Sequence, residues 1–138
     1  KLAKRIWSQI NYRVSENMQI KTIKKNDIKI ASVNSDEILI SDVQSALDFM
    51  ATVQYEAGCN RIILNKPAIV EDFFHLSTKI AGEILQKFVN YRVKFAIIGD
   101  FSAYTSVSMK AFILECNRGK DIFFLPDEEK AVEKLSTV

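Results

Sequence analysis

The sequence predicts an α/β domain with a mostly parallel sheet, an antiparallel hairpin at its amino end and about four covering helices. Three observations predict it. Short β-branched or aromatic runs alternate with longer stretches whose apolar side chains recur at spacing three and four. The first two runs are separated only by Lys25-Asn26-Asp27, a hairpin turn. A chain of 138 residues, 48% hydrophobic and 26% charged with a mean hydropathy of zero, is enough for one buried core and too short for two full domains.

Each element has its own signal. Ile20 to Lys24 and Ile28 to Val33 form the hairpin, and Ile38 to Ile40 a short extension. Ser41 followed by Gln44 fits a capping box, so a helix starts at about Asp42. Its face is Val43, Ala46, Leu47, Met50 and Val53, and Gly58 supplies the left-handed stop. Arg61 to Asn65 reads as a buried strand. Pro67 ends regular structure, and Glu71-Asp72 open a second helix to about Asn90 with the stripe Phe73, Ile80, Ile84 and Phe88. Val93 to Ile98 is a strand closed by Gly99. A third helix spans about Ser106 to Asn117, Asp121 to Leu125 is the last strand, and Pro126-Asp127 open a final helix carrying Ala131, Val132 and Leu135. The order is β-β-α-β-α-β-α-β-α, which demands a sheet covered by helices.

Charge separates residues 1–17 from the rest. Four of the 19 basic residues and one of the 17 acidic ones lie there, a net of +3 that leaves −1 for residues 18–138. The folded part therefore lacks the basic excess of a nucleic-acid binder, and no nucleic acid is expected as a partner. Residues 1–17 read as a basic extension, either an amphipathic helix through Leu2, Ile6, Ile10 and Val14 or a frayed leader, with the single domain over 18–138 beginning at about Met18. Lys21, Lys24, Lys25 and Lys29 sit on the hairpin, where lysines guard an exposed edge. No apolar run reaches membrane-spanning length, so no membrane is expected. Two cysteines, Cys59 and Cys116, suit a reducing compartment and a cytoplasmic protein.

The motifs that carry common chemistry are absent from the sequence. Neither GxGxxG nor GxxxxGK[ST] occurs, and one histidine without a CxxC supports neither a metal site nor a cofactor. His75 falls with Lys79, Gln86 and Asn90 on the polar side of the second helix, so no catalytic residue is assigned. Cys116 joins the core stripe Met109, Phe112 and Ile113, and Cys59 lies far from any activating base in sequence. Position gives more. Ligands of open α/β sheets collect beyond the carboxyl ends of the strands, which here present Asn65-Lys66, Asp100 with Ser102, and Pro126-Asp127, while the run on to Ser106 adds the hydroxyls of Tyr104, Thr105 and Ser106. Those side chains serve a ligand or partner, or they cap a helix and knit a turn. A second candidate is apolar. Thr78, Gly82, Leu85 and Val89 share one side of helix two, and Val107, Ala111 and Leu114 one side of helix three. Glycine within a helix marks close approach of another element, either inside the chain or at a homodimer or partner interface.

The segments SDEILISDVQSALDFM, DFFHLSTKIAGEILQKFVNYRVKFAIIGDFSAYTS and FFLPDEEKAVEKL give Met18 to about Leu135 a resemblance to a bacterial family, the domain of unknown function numbered four-one-eight-zero. The element order is in turn similar to the STAS domain of sulphate transporters and anti-sigma-factor antagonists. That resemblance implies a regulatory domain that binds partner proteins and sometimes nucleotides. STAS antagonists that switch by phosphorylation carry an Asp-Ser pattern between the third strand and second helix. Here Asn65-Lys66-Pro67-Ala68-Ile69-Val70 offers no hydroxyl, and the wheel turns Ser77 toward the core. The expectation is a non-enzymatic regulatory module acting through a protein partner or homodimer. The alternative is a domain that binds or transforms a phosphate, nucleotide or acyl ligand at the edge around Asp100.

Overall fold

The structure, a computed structural model, describes residues 18–138; the basic extension expected over residues 1–17 lies outside them. Five strands form one sheet in the order β1-β2-β3-β4-β5. β1 (Met18–Lys25) and β2 (Ile28–Ser35) are antiparallel, while β3 (Arg61–Asn65), β4 (Lys94–Ile98) and β5 (Ile122–Leu125) continue parallel to β2. Asn26 and Asp27 both take positive φ, 53° and 63°, as the primed two-residue turn of a twisted hairpin requires. The element order is the expected one, with four helices between and after the strands.

Strands β2 to β5 advance in one direction across the sheet. Right-handed crossovers then place every connecting helix on the same face. Helices α1 (Val43–Ala57), α2 (Ile80–Asn90) and α3 (Val107–Arg118) cover the side bearing Val33, Ile62, Leu64, Phe95, Ile97 and Phe124. Helix α4 (Glu128–Leu135) lies on the other, where Ala131, Val132 and Leu135 meet Ile30, Ile63, Ala96 and Phe123. Phe88 of α2 stacks on Phe95 at 4.1 Å and 11°, and Phe49 of α1 leans on the same ring at 6.5 Å. Each of these rings removes a large apolar area from water, so this cluster anchors the three-helix layer.

Two expectations about helix starts are corrected. Asp42, not Ser41, caps α1: its carboxylate accepts from the Ser45 N–H at 2.7 Å, and the Ser45 hydroxyl reaches back to the Asp42 N–H. A serine at the third position completes the box where glutamine was expected. The second correction is larger. The helix predicted from Glu71 to Asn90 begins only at Ile80, preceded by three short 3₁₀ turns at Lys66–Ala68, Glu71–Phe74 and Leu76–Thr78. Ile40 and Ile69 form a parallel bridge, and the Val70 N–H donates to the Ile40 carbonyl at 2.9 Å. That pins the segment to the β2–α1 connection. Adjacent Phe73 and Phe74 are both buried, in the second of these turns. Lys79 then adopts φ 65°, which stops continuation into α2. The wheel drawn through residues 71–90 is therefore wrong before Ile80, and Ser77 is exposed rather than turned to the core.

Candidate functional site

The turns at 66–79 and the loop after β4 meet beyond the carboxyl ends of β3 and β4. Lys66 is the hinge of the contact. Its stem lies so close over Gly99 that a Cβ there would sit 2.8 Å from the Lys66 Cβ, so only glycine fits. The Lys66 ammonium lies 5.1 Å from the centre of the Phe74 ring and 5.0 Å from that of Tyr104. Those two rings stack at 5.3 Å and 20°.

Glu71 gathers the polar groups. Its carboxylate accepts from the Tyr104 hydroxyl, at 3.0 and 2.8 Å to its two oxygens, and lies 3.2 Å from His75 Nε2 and 3.8 Å from Lys66 Nζ. Burial, with the carboxylate of Glu71 adding to it, pushes the Tyr104 hydroxyl above its usual range, so the phenol stays protonated and donates. Next to this cluster opens a cleft of about 800 Å³ lined by His75, Ser77, Thr105, Ser106 and Ser108 above Phe74 and Met109.

The expected ligand edge is divided by this geometry. Thr105 and Ser106 line the cleft, although the Ser106 hydroxyl already caps α3 by accepting from the Met109 N–H at 3.1 Å. Asp100 lies in a separate hollow with Phe101 and Pro126 and closes a turn by accepting from the Ser102 N–H at 2.9 Å. Hydrogen bonds from Ser102, side chain first and backbone second, hold the Asp100 carboxyl below the usual range. Asn65 is occupied as well, exchanging two bonds with the Ser35 backbone at 2.9 and 2.8 Å and so locking β2 to β3. The strand order never reverses among the described strands, so the sheet has no topological switch point at these ends.

The expected apolar face is divided too. Leu85 is buried, 5% exposed, within the core. A Cβ at Gly82 would meet nothing within 4 Å, so among the described residues no element packs closely on it. Thr78 belongs to the turn before α2, where its hydroxyl lies 2.8 Å from the carbonyls of Asp72 and His75. Val89 is exposed. Helix α3 differs, for its outer stripe Val107, Ala111 and Leu114 stands in solvent, with Val107 84% and Leu114 53% exposed.

His75 is exposed, as expected, and its wheel neighbours did not reveal its contact with Glu71. Burial pushes the Cys116 thiol up to about 11, with Glu115 adding to it, and burial raises that of Cys59, so neither is a poised nucleophile. Among the described residues no three His, Cys, Asp or Glu side chains converge as metal ligands, and no helix is long and apolar enough to cross a membrane.

A five-stranded sheet with three helices on one face and one on the other defines the class, an α/β domain with a hairpin edge. The chain belongs to the family described as Domain of unknown function (DUF4180), which matches residues 25–135. No curated protein matches it.

Proposed function

We propose that this chain is a small regulatory module that works by docking on protein through the outer stripe of α3, with a second copy as the occupant. The observation that supports this reading is the stripe itself. Val107, Ala111 and Leu114 recur at spacing four and three on one side of a helix whose inner side is already anchored by Met109. Two such helices crossing antiparallel about a two-fold axis set Val107 of one copy against Leu114 of the other. The small Ala111 lies at the crossing and permits close approach. The polar groups nearby favour binding over turnover, since Glu71 is engaged by Tyr104 and His75 and the Ser106 hydroxyl by its own helix. Regulation by protein contact, as in STAS domains, and work in the cytoplasm are part of this proposal; the element order and the two free cysteines support them. Sedimentation of the wild type beside Leu114→Glu tests it, with association expected only in the wild type.

The cleft beside His75 favours a second reading, a small polar ligand held among Ser77, Thr105 and Ser108. Thermal unfolding with inorganic phosphate, a nucleotide or an acyl ligand tests that reading. A concentration-dependent rise in Tm that His75→Ala abolishes would favour it.

A further inference from the structure

We propose that the outer edge of β1 accepts an extended acidic segment of a partner protein as an added strand. The two edges of the sheet are finished differently. At β5 the side chain of Asn117 reaches from α3 and takes the place of a neighbouring strand: the Phe124 N–H donates to Asn117 Oδ1 at 2.7 Å, and Asn117 Nδ2 donates to the Phe124 carbonyl at 3.1 Å. That edge is closed. β1 pairs with β2 alone, and among the described residues no strand lies beyond it.

The hairpin fixes which groups face outward. In a primed two-residue turn Lys25 and Ile28 exchange both backbone bonds, and the alternation of an antiparallel ladder then turns the N–H and C=O groups of Ile20, Thr22 and Lys24 away from β2. An extended chain could pair with all three, the mode by which peptides add to a sheet.

Charge selects the occupant. Lys21, Lys24, Lys25 and Lys29 crowd the hairpin. Lys21 is paired with Glu128 at 3.1 Å, while no ion pair among the described residues engages Lys24, Lys25 or Lys29. Lys24 and Lys29 stand directly opposite each other, a like-charge pair that weakens the hairpin. A second copy bringing its own β1 would add more lysines, so self-pairing is opposed here, in contrast to α3. A strand with carboxylates at alternate positions relieves the repulsion while filling the backbone edge. The DUF4180 match begins at residue 25, so this edge lies almost wholly outside the matched segment.

The test uses a fluorescent peptide of about eight residues alternating glutamate and valine, beside its lysine–valine counterpart, read by anisotropy. The wild type is expected to bind the acidic peptide and not the basic one. Thr22→Pro removes only an outward N–H, a change that an edge strand tolerates, and should weaken binding at least about tenfold. Lys24→Glu with Lys25→Glu should abolish it. No binding by the wild type, or equal binding by a folded Thr22→Pro, overturns the proposal, the latter because lysines alone would then account for capture. Should Thr22→Pro fail to fold, hydrogen exchange on the wild type decides. Slowed exchange at Ile20, Thr22 and Lys24 on adding the acidic peptide supports strand addition, and unchanged exchange refutes it.

Discussion

Helices α2 and α3 are nearly equal in length, 11 and 12 residues, yet they stand in opposite relations to the core. α2 buries Ala81, Ile84, Leu85 and Phe88, whereas α3 buries Met109 alone and turns Val107, Ala111 and Leu114 outward. α3 is instead fixed at points. Phe112 meets Phe124 edge-on at 6.0 Å, Ser106 caps its amino end, and Asn117 closes the edge of β5. Apolar content alone therefore does not say what a helix does. The direction in which it presents that content does, and an element held by a few specific contacts keeps a free face for another molecule.

The largest expected effect lies in α2. Phe88→Ala removes a fully buried ring stacked on Phe95 and should cost about 3–5 kcal/mol in urea unfolding. A loss below about 1 kcal/mol, within the range of surface substitutions, would break the contrast. Asn117→Ala comes next, because it leaves both backbone groups of Phe124 unpaired while exposing a strand edge, with an expected cost of about 1–3 kcal/mol and increased self-association. Gly99→Ala forces a methyl group against the Lys66 stem rather than against its mobile end, and about 1–3 kcal/mol is expected from that overpacking.

Acid should act on α4 more gently. The Glu128 carboxyl lies below its ordinary value, first because the Ser32 hydroxyl donates to it and further because of Lys21. A depressed carboxyl contributes stability that is full above the unfolded-state value of 4.5 and lost as pH falls through the folded one. The urea midpoint of the wild type should therefore fall relative to that of Glu128→Gln on going from pH 6 to pH 3, within the titration range of a carboxylate. Parallel curves would show that the contact contributes nothing to folding.

The elements most readable in the sequence are those whose period is local. The hairpin announced itself through Lys25-Asn26-Asp27, although Lys25 is the last residue of β1 and pairs with Ile28; α1 did so through its stripe and Gly58, and the strands through their apolar runs. The segment from Lys66 to Lys79 did not, since Phe73 and Ile80 fit a helical stripe by spacing although a long-range contact between Ile40 and Ile69 decides the local backbone. Lys66 and Tyr104 were visible at the strand ends, but their meeting with Glu71 and His75 was hidden for the same reason, because Tyr104 lies 33 positions from Glu71 and the contact depends on those turns. Asp100 and Asn65 were visible as polar groups at strand ends. Whether they were free or already bonded to Ser102 and Ser35 was a matter of tertiary contact. The exposed stripe of α3 was legible as spacing, while its separation from buried Leu85 was not.

The smallest expected change in stability accompanies the most informative change in association. Leu114→Glu alters a side chain that is already 53% exposed, so its unfolding curve should stay within about 0.5 kcal/mol of the wild type. Sedimentation equilibrium of the two proteins over a concentration series tests the central claim directly. Reversible dimerisation of the wild type and a monomeric, equally stable Leu114→Glu are predicted. A wild type that remains monomeric throughout the series, or a Leu114→Glu that dimerises as strongly, would contradict the assignment of α3 as the docking face.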